Sequence, residues 1–391
     1  MSTPLSFHET GRHGASRTGR ITCGSIEAET PALLCQTAGG SLPSMPPDLA
    51  ATLPIDLAMI DFAEVADFLK LEEPSSFFAL PPTCMRVLSV DSMLASPLEV
   101  LTTKGRMVET ATGRLEVTPE TLRAASEALA PHLTVSLNDD CPPGSSRKRM
   151  AKARERNSRW LRTLAGGGFS GGILGPVVGG GDRQKCAEDL FASQSGLSGV
   201  SIQGLGCGEE CGGRRAAVEA TLLGCPERAL RVATKGFLSP ADILEGISLG
   251  LDVIGSAYPT VLTSNGQALS LPLFDLASTR DHAKRQKVEG AAQVSHVLDL
   301  RETAMRADTR PLVEGCGCQA CAHHHRAYIH HLLLAHEMLA DALLQMHNTH
   351  HLLDLFAAAR RHLKDGTFEA FKETITGEIS TEKDAPIPPL P

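Results

Sequence analysis

The sequence predicts an α/β fold: a (β/α)8 barrel followed by a small helical subdomain built around a metal. Three observations carry this. Short β-prone apolar runs alternate with helical stretches through the middle of the chain. Polar residues and glycines gather where those runs end. Beyond residue 300 the alternation stops, and three closely spaced cysteines lead into a histidine-rich helical segment.

Five runs read as strands: LTVSLND at 133–139, GGILGPVVGG at 171–180, GVSIQGL at 199–205, ALRVATKG at 229–236 and LDVIGSA at 251–257. Helical stretches fall between or beside them at 147–165, 182–193, 211–223 and 239–249. The last opens with Ser239-Pro240, an N-cap residue followed by proline at the first helical position, where no N–H is needed. Such alternation means parallel strands joined by right-handed crossovers. No strand runs into G-x-G-x-x-G, so a dinucleotide-binding open sheet has no support. The groups Asn138-Asp139-Asp140, Gly179-Gly180-Gly181, Gln203-Gly204 and Lys235-Gly236 lie at strand C-termini, the end of a TIM-type barrel that carries its site. The barrel is expected over residues 1–300, with the first 110 too irregular for every strand to be placed. Residues 301–377 are expected to form the metal-binding subdomain and C-terminal helices packed on the barrel, and 378–391, polar and Pro-rich, a disordered tail.

Composition narrows the function. With 42% hydrophobic and 21% charged residues in 391, the chain reads as an ordinary soluble globular protein. It has no apolar run of membrane-spanning length and no secretory h-region. Eleven cysteines without a secretory signal point to a reducing compartment, with thiols as metal ligands or buried side chains. The net charge of −8 repels polyanions as a whole, so any nucleic-acid contact needs a local basic patch. One exists: Arg147 to Arg162 carries eight cations against one acid, Glu155. Arg147, Lys148, Arg149, Lys152 and Arg156 are its candidate phosphate contacts. The plainer reading is a solvated helix face.

Cys316, Cys318 and Cys321 form C-x-C-x2-C, and nine of the fifteen histidines follow between His323 and His351. Three soft sulfurs this close suit zinc, and a redox pair at Cys318 and Cys321 does not explain the third cysteine. One straight helix over 323–347 would be about 37 Å long and would carry His347 out of reach. Either a near histidine, His323 to His325, completes the set, or the helix breaks near Leu333–His336 and folds back to bring in His347. A full Cys3His shell has no open position, so the metal would be structural. The remaining histidines, His324, His330, His331, His336, His350 and His351, read as solvated or capped helix positions. Cys207, Cys211 and Cys225 read as buried thiols.

The motif then continues with Arg326-Ala327-Tyr328, His330-His331-Leu332, Glu337-Met338-Leu339 and His347-Asn348. Together these resemble the zinc motif of the tRNA-guanine transglycosylase (queuine tRNA-ribosyltransferase) family. The resemblance implies one structural Zn2+ on Cys316, Cys318, Cys321 and His347, and with it the folded-back geometry. Further stretches are similar to family motifs in the same order. Asn138-Asp139-Asp140-Cys141 is similar to F-D-E-C, and Gly175 to Gly180 to G-x-V-Q-G-G. Gln203 to Glu209 is similar to G-G-L-x-V-G-E, and Asp252 to Val261 to D-M-F-D-C-V-x-P-T-R. The likeness runs from about residue 110 to residue 370.

Family enzymes exchange guanine in the tRNA anticodon for a 7-deazaguanine base through a covalent ribosyl-aspartate. The nucleophile, the second aspartate of D-M-F-D, falls on Gly255 here. The base-reading glutamine falls on Val178 and the arginine of P-T-R on Val261. The acid-bearing D-S-G-G-F-Q loop has only Asp91-Ser92 as its closest remnant. The resemblance therefore implies no catalytic residue in this chain. It implies a non-catalytic member of the family that forms a heterodimer with a catalytic subunit, the apolar face near Leu332–Met346 contributing, and that binds tRNA, not DNA. The alternative is an active transglycosylase with a relocated acid, Asp252 or Asp139. The resemblance also implies a cytoplasmic protein, at most peripheral on the outer face of mitochondria.

Overall fold

The apolar runs become the staves of a closed barrel. A computed structural model describes residues 5–94, 100–102, 104–141, 144–166, 171–178, 182–206, 209, 211–273 and 296–379. In chain order the barrel strands are Ala32–Gln36, Leu57–Asp61, Met85–Ser89, Leu133–Val135, Gly172–Val177, Gly199–Ile202, Leu230–Ala233 and Val253–Ser256. All neighbours are parallel, and the last strand closes on the first with Gly255 opposite Leu34 and Ser256 opposite Cys35. The five expected strands are all present, and the helices between them are Arg147–Ala165, Arg183–Ser193, Cys211–Leu223 and Pro240–Ser248. Ser239 caps the last of these, its Oγ accepting from Asp242 N at 3.1 Å.

Alternation along the strands sorts side chains into two layers. Leu34, Leu57, Met59, Met85, Val87, Leu133, Val135, Leu174, Leu230, Val232 and Val253 belong to one buried cluster. Their neighbours in sequence, Ile60, Leu88 and Ile173, pack instead with Leu122, Trp160, Leu161 and Leu164 of the covering helices. An antiparallel sheet of Ser6–His13, Ser16–Cys23 and Ile26–Thr30 precedes the barrel and contributes Ile21 and Ala28 to the first cluster. Arg17 of this sheet is buried and grips Asp252, Nε to Oδ1 at 2.8 Å and Nη2 to Oδ2 at 2.5 Å. Its Nη2 also donates to Ala229 O at 2.7 Å.

The chain divides into two compact units: Met1–Leu42 with Ile55–Leu238 and Glu245–Ala257, and Pro43–Pro54 with Ser239–Leu244 and Tyr258–Pro391. The second contains helix Tyr258–Ser264, the antiparallel pair Gln267–Leu269 and Val297–Asp299, and helices Gln319–His323, Arg326–Leu334, Met338–Lys364 and Phe368–Ile379. Its core joins Ala268, Leu300, Leu312, Ile329, Leu332, Leu343 and Leu344. Residues 378 and 379, assigned from sequence to the tail, are the last of the final helix, and 380–391 lie outside the described residues.

Candidate metal centre and barrel mouth

The cysteine loop and a distant histidine meet because the helical segment breaks. Helix Arg326–Leu334 ends, His336 takes a left-handed φ of 56°, and Met338–Lys364 runs on from it. Glu337 N closes the turn on Leu332 O at 3.0 Å. Cys318 is the N-cap of Gln319–His323, its Sγ accepting from Cys321 N at 3.4 Å. His347 Nδ1 lies 3.8 Å from Cys316 Sγ, 3.5 Å from Cys318 Sγ and 3.4 Å from Cys321 Sγ. All four ligand atoms lie within 4.8 Å of one another.

This spacing fits a metal ion. Tetrahedral zinc with Zn–S of about 2.3 Å and Zn–N of about 2.0 Å sets sulfur and nitrogen about 3.5 Å apart. The opposite ring nitrogen, His347 Nε2, donates to Leu269 O at 2.8 Å, which fixes the ring with Nδ1 towards the thiols. Asn348 braces the same strand, its Oδ1 accepting from Leu269 N at 2.8 Å and its Nδ2 donating to Gln267 O at 2.9 Å. The nearer histidines are engaged elsewhere: His325 Nδ1 caps Tyr328 N at 3.1 Å, and His324 stacks on Tyr328. His350 Nδ1 approaches Cys316 Sγ to 4.0 Å but faces the Asp354 carboxylate at 3.0 Å.

Two histidines expected at solvated positions are buried. His330 Nδ1 donates to Leu300 O at 2.7 Å. His351 accepts from Leu271 N at 2.9 Å, and burial holds its ring down to about 3, so it stays neutral. Each has a backbone partner, and a buried histidine so paired is tolerated. Cys207 lies outside the described residues, as does the side chain of Cys211, and Cys225 is half-buried.

At the C-terminal ends of the strands Asp91, Asp139 and Asp140 are tied to cations. Asp91 pairs with Arg106 at 2.5 Å, and Asp140 with Lys235 at 3.4 Å. Burial pushes the Asp91 carboxyl up, but Arg106 and Lys235 outweigh it and hold it below its ordinary value. For Asp140, burial outweighs Lys235 and the carboxyl lies high. Asp139 is fully buried between Arg149 and Arg156, and its N–H donates to Asn157 Oδ1 at 2.6 Å. Asp252 lies at the other end, just before strand Val253–Ser256, so it is remote from the strand ends where a barrel carries chemistry. Gly255 faces Thr234 O: a Cβ there would come to 2.2 Å. Val178 packs with Cys141 and Ala153, and Val261 is buried within helix Tyr258–Ser264.

Of the basic segment, Arg147, Lys148 and Lys152 are exposed, as are Arg159 and Arg162. Arg149 and Arg156 turn inward onto Asp139. Composition cannot separate a cation that faces water from one that answers a buried acid ten or seventeen residues upstream. Arg17 and Arg106 were missed for the same reason, and Lys235, expected at a strand end, was given no acid to answer.

Asp61, at the end of strand Leu57–Asp61, caps Ala63 N at 2.9 Å. Burial, with lesser contributions from Glu64 and Asp91, raises its carboxyl to about 7. A raised folded value favours the folded state at low pH, and that stability is lost as pH rises from about 4 through 7. Asp61→Asn keeps the cap without the charge. It is expected to raise the urea midpoint at pH 8, by about 2–4 kcal/mol of stability, and to change little at pH 4. Equal effects at both pH values would show that ionisation is not the cause.

The family model described as Queuine tRNA-ribosyltransferase matches residues 12–380. A protein named Queuine tRNA-ribosyltransferase accessory subunit 2 from Xenopus tropicalis is 28% identical over 394 residues, covering 91% of this chain and 94% of the relative. One of the same name from Anopheles gambiae is 27% identical over 382 residues, covering 91% and 85%. A Queuine tRNA-ribosyltransferase from Fusobacterium nucleatum is 30% identical over 246 residues, covering 61% and 60%. The family model spans nearly the whole chain, and the chain belongs to the queuine tRNA-ribosyltransferase family.

Proposed function

We propose that this chain is the non-catalytic subunit of a queuine tRNA-ribosyltransferase. It pairs with a catalytic subunit as a heterodimer and helps to bind or orient tRNA while the partner exchanges guanine for queuine at the wobble position. The observation that carries the reading is Gly255. The family resemblance puts the nucleophile there, and the backbone of Thr234 leaves no room for a side chain. The surviving acids do not replace it: Asp139 is held by two arginines, and Asp252 is buried under Arg17 at the far end of the barrel. The printed names of the relatives from Xenopus tropicalis and Anopheles gambiae support an accessory role.

One zinc ion on Cys316, Cys318, Cys321 and His347 supplies structure and no chemistry, because four protein ligands complete its shell. Leu334, Met338 and Leu339 are exposed apolar side chains around the helix break, with Met338 at 87%. They offer the partner subunit an apolar contact. Among the described residues no helix is long and apolar enough to cross a membrane. The reading places the protein in the cytoplasm, with at most peripheral contact at the cytosolic face of the mitochondrial outer membrane.

The test is base exchange on unmodified tRNA with labelled queuine. No exchange by this chain alone and robust exchange with the catalytic subunit are expected, and Leu334→Glu with Met338→Glu should suppress the combined activity by weakening the pair. A covalent adduct between tRNA and this chain alone would instead establish an active enzyme with a relocated acid.

A further inference from the structure

Two features of helix Arg147–Ala165 lie side by side and are not used by the function proposed above. The first is a charged stripe. Lys148, Lys152, Arg159 and Arg162 stand at i, i+4, i+11 and i+14, which is one helical face, and all four are exposed. At 1.5 Å per residue the stripe is about 21 Å long. It is locally basic, broken only by Glu155, on a chain whose net charge is −8.

The second is a gap in the helical shell. Helix Pro119–Leu129 packs on Arg147–Ala165, and Arg183–Ser193 packs on Cys211–Leu223. Between Arg147–Ala165 and Arg183–Ser193 there is a cavity of about 570 Å3. Small residues, Ala151 and Ser158 on one helix and Ala192 and Ser193 on the other, keep it open. Its floor is apolar, from Met150, Pro176 and Val178, and Cys186 lies in its wall. Arg154 borders it, its guanidinium paired with Asp182 at 3.5 Å. Glu155 and Asp189 add carboxylate acceptors. A volume of this size with an apolar floor and few polar groups suits a flat, partly polar ring.

Charge decides the occupant. A free apolar molecule gives no role to four aligned cations, and a bare polyanion gives none to an apolar cavity beside them. A single-stranded nucleic acid uses both, through phosphates on the stripe and an unstacked base in a pocket. We propose that this cleft receives a nucleobase extruded from a single-stranded segment of the bound RNA, whose phosphates lie along Lys148, Lys152, Arg159 and Arg162. Glu155 or Asp189 then accepts from an amino group of the base. The inference rests on the reading of the chain as a tRNA-binding subunit.

The experiment uses the full chain, unmodified tRNA as probe and heparin as a polyanion without bases. Alkylation of Cys186 by N-ethylmaleimide is followed by mass spectrometry, and affinity is measured across a series of KCl concentrations. Bound tRNA is expected to slow Cys186 alkylation at least about fivefold, and heparin to leave it unchanged. Ala192→Trp, which fills the cleft, should weaken tRNA binding about fivefold at an unchanged salt slope, whereas Lys152→Glu with Arg159→Glu should lower the slope by about 2. Protection by heparin equal to that by tRNA would mean phosphate shielding alone and overturn base insertion. Normal tRNA binding with an unprotected Cys186 and an indifferent Ala192→Trp variant would overturn it while leaving the tRNA reading intact. No tRNA binding, alone or with the catalytic subunit, would overturn both.

Discussion

Cys318→Ser is expected to release the metal and melt the C-terminal unit. Structural zinc supplies on the order of 10–16 kcal/mol in small peptide folds, as much as the whole stability of a typical domain. Here the ion would join a loop at 316–321 to a histidine 26 residues beyond Cys321. Without it, three thiols crowd around a buried imidazole that is held by Leu269 O and a stack on His351, with no ion to bind the cluster together. The core around this loop is modest, with Leu312, Ala320, Ile329 and Leu344 at its centre. The wild-type chain should carry one zinc by elemental analysis, and Cys318→Ser or His347→Ala almost none. The thermal midpoint should fall by on the order of 10 °C or more. His324→Ala is the control: as His324 only stacks on Tyr328, both zinc content and midpoint should stay. A zinc-free protein as stable as the wild type, or zinc lost in His324→Ala and kept in His347→Ala, would refute the ligand set.

What could be read in advance followed the physics of each segment. From Leu133 to Ser256 the strand–helix rhythm is regular, and all five expected strands and four helices appear there. The first three barrel strands carry the same kind of apolar run, LLCQ, LAMID and MRVLS, but not the rhythm. They are joined by the four-residue helices Pro47–Ala50 and Phe62–Val65 and by single 3-10 turns, so no helical period marks the crossovers. The antiparallel sheet ahead of them adds strands that do not belong to the barrel.

At the candidate site, the cysteine spacing was legible because zinc geometry constrains it. Spacing alone left the histidine open between His323–His325 and His347; the resemblance selected His347, which depends on the helix break found at His336. The salt bridges at the mouth were least legible of all. Lys235 meets Asp140 across 95 residues, and only the closed barrel brings together the ends of two strands that have two others between them. This is also why the basic helix was read too generously: its sequence shows eight cations, and the fold commits two of them to one buried aspartate.

An aspartate at position 255, where the family resemblance puts the nucleophile, should damage the fold before it creates an enzyme. In Gly255→Asp the new Cβ would stand 2.2 Å from Thr234 O and 2.9 Å from Met93 Cε. The methionine tip can swing away, but the carbonyl cannot, because Gly255 is registered against Leu34 on its other side and its strand is buried throughout. Overpacking of this kind costs about 1–3 kcal/mol, and a carboxylate buried without a cation adds to it. Gly255→Ala separates the two contributions, since it brings the steric clash without the charge. Urea unfolding should rank wild type above Gly255→Ala and Gly255→Ala above Gly255→Asp, and none of the three should form a covalent adduct with tRNA. The opposite result, a Gly255→Asp chain as stable as the wild type that traps tRNA covalently, would mean that the strand had stayed open to a nucleophile. In that case the loss of one side chain, and not a rebuilt barrel mouth, would account for a non-catalytic subunit. If the ranking holds, the close approach of Gly255 to Thr234 is itself part of that rebuilding, and a single reversion cannot undo it.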